Sequence, residues 1–315
     1  MLKVITTSFP EILHNHNIVV DRTSIALGNF DGIHKGHQQV IQPIFHHSHL
    51  IPTLVTFTPH PEEFFTGTKK QLLTPIPEKC QILETLGIKQ LILLPFDREL
   101  AHLSPEKFVK KILIKYLKAK FISVGEDFRF GYQRQGNVEY LQILAHENNI
   151  QVSITSEQNL LINQKLLRIS SSYIRESLSL GKSELAQEML GREYCIIGTV
   201  IEGKKLGRTI GFPTANIAVT HEKFLPKMGV YAVKIDLDNK ELLGVMNIGN
   251  KPTVDGKNIS IEVHIFDFND NLYGENLKIK LIKFLRPEQK FSSLEELKHH
   301  IQLDCQKARS ILVRN

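Results

Sequence analysis

Cysteine is scarce in this chain of 315 residues: Cys80, Cys195 and Cys305 are its three, and they lie far apart. No CxxC spacing occurs, which argues against a zinc site or a disulfide framework, so reduced thiols are expected. No apolar run approaches the roughly 18 residues that cross a bilayer. Met1 to Pro10 lacks the apolar stretch of a secretion signal, and the expectation is a cytoplasmic protein with no membrane partner. Dense Lys/Arg tracts with interleaved aromatics are missing too, so nucleic acid is not an expected partner. Internal repeats and low-complexity segments are absent.

What is present is ordinary globular material, with 42% apolar and 23% charged residues. The length is comfortable for two domains, each able to bury a core without a staple. A net charge of +6 suits polyanionic ligands, nucleotides among them.

The first half alternates strand-like runs with helical patterns. Ser24 to Asn29, Thr53 to Phe57, Gln90 to Leu94 and Phe121 to Val124 read as strands. Between them, His37, Val40, Ile41, Ile44 and Phe45 share a helical face that Pro43 should kink or end. Glu78 to Leu86 reads as a helix stopped by Gly87, and Ser104-Pro105 opens another that turns Phe108, Val109, Ile112 and Leu113 inward. Such alternation predicts a Rossmann-like, doubly wound parallel α/β domain. The pattern changes near Gly181, where Ser183 to Leu190 forms a short helix. Strand candidates follow at Tyr194–Val200, Gly229–Leu237, Leu242–Ile248, Ile259–Phe268 and Leu277–Phe284, with turns at Asp238-Asn239 and Asp255-Gly256. They predict a small antiparallel barrel, closed by a helix from Ser292 to Arg309 with Leu294, Leu297, Ile301, Cys305 and Ala308 on one face. The expected domains are residues 1–182 and 183–315.

The segment from Gly28 to His37, GNFDGIHKGH, follows a strand and opens a helix. Unpaired N–H groups at a helix start favour phosphate, and glycine lets backbone approach it. His34 and His37 stand where imidazoles can donate to triphosphate oxygens; the alternative is a loop with two surface histidines. Arg168 to Arg175, RISSSYIR, reads as a strand end entering a helix, and is either a second anion cradle or a serine-capped helix with solvated arginines. In the second half, GKKLGRTIGFPTAN (Gly203 to Asn216) carries no P-loop but has glycines, cations and two oxygen donors for Mg²⁺, Thr214 and Asn216. Such a run can equally be a mobile basic loop. Strand alternation in SIEVHIFDF puts Glu262, His264 and Phe266 on one face. Glu262 is then either a solvated carboxylate or a proton acceptor for an attacking hydroxyl.

On these stretches the chain resembles the bacterial bifunctional riboflavin kinase/FAD synthetases, whose first domain is an HxGH nucleotidyltransferase. Gly28 to Gln38, the VTF and PHP elements of Val55 to Pro61, VGEDFRFG at Val124 to Gly131, and Ser170 to Arg175 carry the first half of the likeness. Gly203 to Asn216, Gly229-Val230-Tyr231, Asn247 to Thr253, Ile261 to Gly274 and Phe284 to Phe291 carry the second. Ser172 stands where threonine is usual, Thr58 where an acid is often found, and Lys251 replaces a common arginine. The resemblance implies that ATP is held by Gly28, Asn29, Phe30, Asp31 and Gly36, with His34 and His37 on its phosphates and Arg168, Ser171, Ser172 and Arg175 gripping the triphosphate. Asp127 and Phe128 would help hold the flavin. In the second domain, a six-stranded Greek-key barrel, it implies Gly203, Gly207 and Arg208 on ATP, Thr214 and Asn216 on Mg²⁺ and ATP, and Glu262 as catalytic base. Expected substrates are ATP, riboflavin and FMN, with apo-flavoproteins as recipients of the products. Two other readings stay open: a different HxGH adenylyltransferase acting on nicotinamide or pantetheine substrates, and a non-catalytic flavin- or RNA-binding regulator.

Overall fold

A computed structural model describes residues 1–6, 21–162, 164–203, 210–238, 240–253 and 256–313, with the side chains of 251–258 excepted. Gly207, Arg208, Asn239, Asp255 and the Lys251 side chain therefore lie outside the described residues. The chain divides into two units, Met1–Ser171 and Ser172–Asn315.

The first unit is built on six parallel strands: β1 (Lys3–Thr6), β2 (Thr23–Leu27), β3 (Ile51–Thr58), β4 (Gln90–Pro95), β5 (Ala119–Gly125) and β6 (Gln151–Thr155), in the spatial order β1-β4-β3-β2-β5-β6. Every residue of β2 is buried, as a central strand covered on both faces requires. The pleat sends Ile25 and Leu27 into one core and Ala26 into the other. Helices α1 (Lys35–Ile41), α2 (Pro61–Thr66), α3 (Ile76–Thr85), α4 (Arg98–Ala101), α5 (Pro105–Lys107) and α6 (Val138–His146) fill the crossovers. α1 does end early, and Pro43 sits in the 3₁₀ turn Gln42–His46 that follows it. Ser104 caps α5, which runs on as a π-helical segment, Phe108–Tyr116, burying Phe108, Val109, Ile112 and Leu113. The π winding had no sequence signal, because it keeps the same apolar face. Gly87 takes φ +87° just beyond α3, a conformation that costs glycine little. A two-stranded hairpin, β7 (Asn159–Ile162) and β8 (Lys165–Arg168), completes the unit.

Helix α7 (Ser171–Ser179) begins on the last residue of the first unit and runs into the second, which continues through α8 (Ser183–Leu190) into β9 (Tyr194–Ile201), β10 (Ala215–Ala218), β11 (Gly229–Leu237), β12 (Lys240–Thr253), β13 (Gly256–Ile265) and β14 (Asn276–Pro287). These six strands close into an antiparallel barrel in the order β10-β13-β12-β11-β14-β9. The run β14-β11-β12-β13 places a fourth strand beside the first of a meander, which is the Greek-key arrangement. The four-residue β10 was not expected as a strand, since its Pro- and Thr-rich approach reads as loop. Pairing on both sides, with β9 and β13, holds it extended. The closing helix α9 (Leu294–Leu312) packs Cys305, Ala308 and Leu312 against Val230, Val245, Phe266 and Leu285 on the barrel's outside. The expected inward stripe is corrected at its start: Leu294 is exposed, because only the later turns of α9 meet this cluster.

Candidate active sites

Strand order in the first sheet reverses at β2, which has β3 on one side and β5 on the other. Ligands of open α/β sheets bind at such a switch point, outside the carboxyl ends of the strands. The chain leaves those two ends at Gly28 and Gly125. The turn after β2 is tightly wound: Phe30 has φ +48°, Ile33 +43° and Gly32 +87°. Two buried non-glycine residues in the left-handed region persist only where surrounding contacts hold them. Those contacts are numerous. Gly28 N donates to Val55 O at 3.2 Å. Asn29 O accepts from Thr56 Oγ1 at 2.9 Å and from Lys79 Nζ at 3.1 Å. The Asp31 carboxylate accepts from Leu73 N at 3.2 Å and Thr74 N at 3.1 Å, while Gly32 N donates to Thr74 Oγ1 at 2.9 Å. Ser171 Oγ donates to Asp31 O at 2.7 Å. Asp31, singled out as an ATP contact, thus has its carboxylate aimed at the backbone of 73–74.

His34 is the N-cap of α1: its Nδ1 accepts from His37 N at 3.2 Å. An accepting Nδ1 carries no proton, so the neutral ring keeps its proton on Nε2 and presents a donor there. The two imidazoles stack with centroids 3.6 Å apart, and the edge of Phe30 meets His37 at 5.3 Å. Gly36 suits this packing, for a Cβ there would stand 3.2 Å from His34 Nδ1 and the imidazole would have to give way.

After β5, Phe128 N donates to Gly125 O at 3.0 Å, and the Phe128 ring stacks on buried Phe130. Asp127 is exposed and meets Arg168: Nη2 of the arginine lies 2.8 Å from Asp127 Oδ2 and 2.6 Å from Glu157 Oε1. The sequence placed Arg168 on the triphosphate and Asp127 on the flavin; the structure pairs them. Ile169 N donates to Gln158 O at 2.8 Å, and Gln158 borders Gly36, so this segment runs beside the HxGH turn. Ser171 is the last residue of the first unit. Ser172 and Arg175 fall in the second, where the Arg175 guanidinium lies 5.9 Å from the Phe224 ring centroid. Lys79 and Thr74 brace the turn unforeseen: a lysine inside a helical PEKCQ stretch carries no sign that it will be buried.

In the barrel, strand register assembles the second site. Glu262 of β13 lies directly opposite Asn216 of β10 on one side and Asn247 of β12 on the other. Directly opposed residues share a face, so a carboxylate stands between two carboxamides. Asn216 also packs on the preceding loop, where a Cβ at Gly203 would fall 2.1 Å from Asn216 Nδ2. His264 binds Pro213 O at 2.8 Å through Nδ1, tethering the start of PTAN to β13. Phe266, expected on the face of Glu262, is buried beneath α9. Among the described residues no group of three His, Cys, Asp or Glu side chains could hold a metal. Thr214 and Asn216 carry hard side-chain oxygens, the donor type that Mg²⁺ takes beside waters and phosphates.

A family model described as FAD synthetase matches residues 17–173, and one described as riboflavin kinase matches 190–312. Curated relatives are bifunctional riboflavin kinase/FMN adenylyltransferases. That of Haemophilus influenzae is 39% identical and covers 95% of this chain and 97% of its own. That of Escherichia coli K12 is 40% identical over 90% and 91%, and that of Bacillus subtilis 38% over 94% and 96%. A solved structure described as a macrolide-efflux protein from Streptococcus pneumoniae superposes with TM-score 0.85 at 28% identity, covering 98% of this chain and 99% of that one. Among the described residues no helix is long and apolar enough to cross a membrane.

Proposed function

The chain belongs to the bifunctional riboflavin kinase/FMN adenylyltransferase family, and from that premise we propose that it makes FMN and then FAD with ATP. Residues 183–315 phosphorylate riboflavin; residues 1–182 transfer AMP from ATP to FMN and release pyrophosphate. The observation that supports this reading is the row Asn216–Glu262–Asn247, a carboxylate directly opposed by two carboxamides, which suits a proton acceptor beside groups that can hold a phosphate and a hydroxyl. A barrel that merely accompanied another HxGH enzyme would not need it.

In phosphorylation, Glu262 accepts the proton of the ribityl hydroxyl as that oxygen attacks the γ-phosphorus. Asn216, seated on Gly203, orients the triphosphate against it, with Thr214 beside it. Mg²⁺ at Thr214 and Asn216 would neutralise phosphate charge. In adenylylation, the FMN phosphate attacks the α-phosphorus in line, and pyrophosphate leaves. His34 donates from Nε2 to phosphate oxygens, the His37 imidazole stacked on it donates beside it, and the braced turn aims backbone N–H groups at the same charge. Arg168 and Ser171 contribute from the end of the first unit, and Asp127 and Phe128 border the flavin. FAD and FMN then pass to apo-flavoproteins in the cytoplasm.

Purified protein incubated with riboflavin and Mg-ATP, with flavins separated over time, should show FMN rising first and FAD following. No phosphorylated flavin at any time would end the proposal.

A further inference from the structure

Lys79 belongs to none of the motifs above. It lies on α3, is 4% exposed, and carries its ammonium into the protein rather than to solvent. Its Nζ reaches Asn29 O at 3.1 Å, the same carbonyl that Thr56 Oγ1 reaches at 2.9 Å. Asn29 opens the wound part of the turn, one residue before Phe30 at φ +48°. Asp31, two residues on, is the carboxylate whose charge acts on Lys79, and Cys80 on its own helix is the other ionisable group that does so. A buried cation bonded to a neutral carbonyl is a costly arrangement that apolar packing could replace. Its position, on the carbonyl that fixes the entry of a strained phosphate-binding turn, gives it a purpose.

We propose that Lys79 is a positioning residue of the adenylyl-transfer site: its ammonium holds the Asn29 carbonyl and thereby aims the N–H groups of the Gly28–His37 turn at the reacting phosphates. This rests on the adenylyltransferase reading of the first unit. Lys79 touches no substrate and acts through the backbone. Removing it frees one of two bonds to a carbonyl that anchors left-handed residues, and small misplacements of such groups are expensive in rate.

Burial lowers the Lys79 pKa to about 8, against a partial opposing pull from Asp31. The sign for stability follows. A base whose folded pKa is depressed disfavours the fold at low pH, and that penalty is relieved as pH rises from about 8 towards the unfolded value of 10.5. Lys79→Met should therefore leave the melting temperature at pH 7 no lower than wild type, whereas a purely structural lysine would be missed as lost stability. The bond to Asn29 should lose its charge assistance over the range in which Lys79 deprotonates. Burial pushes the Cys80 thiol up from 9.0, so Cys80 does not share that range.

The test uses the full chain, supplied with FMN and Mg-ATP for FAD formation and with riboflavin for FMN formation. Expected for Lys79→Met is a fall of roughly tenfold or more in the kcat of FAD formation, the scale of a lost charged hydrogen bond, with FMN formation unchanged. Wild-type kcat for FAD should also decline as pH passes about 8, and Lys79→Met should lack that limb. Wild-type rates of FAD formation in Lys79→Met would overturn the proposal. Should the variant not fold, a wild-type profile flat from pH 7 to about 9.5 would overturn it equally. Wild-type protein that makes no FAD from FMN would instead defeat the adenylyltransferase reading itself.

Discussion

At the residue scale, each site turns on one side chain whose loss should silence one reaction and spare the other. His37 stacks on His34 and supplies the backbone N–H that fixes the His34 tautomer. His37→Ala keeps that N–H and removes the ring. FAD formation from FMN should drop roughly 10²–10³-fold, the scale of a lost transition-state donor, while riboflavin phosphorylation stays near normal. FAD made at wild-type rates would place the imidazole away from the phosphates. Glu262→Gln makes the opposite cut. Glutamine keeps the shape between Asn216 and Asn247 and removes the proton acceptor, so FMN formation should vanish while supplied FMN is still converted to FAD. Chromatography of the flavins reads both variants, and undiminished FMN would make Glu262 a structural residue.

At the scale of elements, the attachment of α9 rests partly on charge. Asp304 on α9 and Arg286 on β14 form a two-pronged pair, with Nε 3.1 and 3.0 Å from the two carboxylate oxygens and Nη2 at 2.8 Å. The aspartate is almost fully buried and the arginine mostly so. Removing one partner of a buried pair leaves the other charge unsatisfied, which costs about 3–5 kcal/mol. Asp304→Ala should therefore lower the urea midpoint at which riboflavin phosphorylation is lost by a readily measured margin. An unmoved midpoint would mean that the apolar contacts of Cys305, Ala308 and Leu312, together with the Arg309–Asp267 pair, hold the helix without Asp304.

For the whole molecule, the question is whether two activities mean two separable bodies. Every described barrel residue invoked for phosphorylation, from Gly203 to Glu262, lies in the second unit. A fragment from Ser183 to Asn315 should phosphorylate riboflavin and stop at FMN, since adenylyl transfer needs FMN aligned on a different phosphorus. The structure adds α7 to that unit: Ile174 and Leu178 are buried, and Leu178 O accepts from Lys227 N at 2.9 Å. A fragment from Ser172 should accordingly melt higher than one from Ser183 while making the same product. Thermal circular dichroism with flavin analysis decides this, and FAD from either fragment would overturn the division of labour.

The sequence alone was enough for both architectures, because period-2 and period-3.6 apolar patterns report which faces are covered. Ser183 to Leu190 matches α8, and Gly229 to Leu237 matches β11. The HxGH turn and the PTAN and IEVHIF stretches stood out for another reason: together they resemble one family along both halves of the chain, whereas each taken alone left a solvated loop or strand face open. The tertiary structure alone decided what depends on distance between segments remote in sequence. Only strand register could set Glu262 between Asn216 and Asn247. Only folding could pair Arg168 with Asp127, turn the Asp31 carboxylate onto Leu73 and Thr74, and bury Lys79 against Asn29. Local pattern carries the sign of burial for apolar side chains, since water drives them in wherever they cluster. It carries none for a buried charge, whose place is fixed by partners that the chain brings from elsewhere.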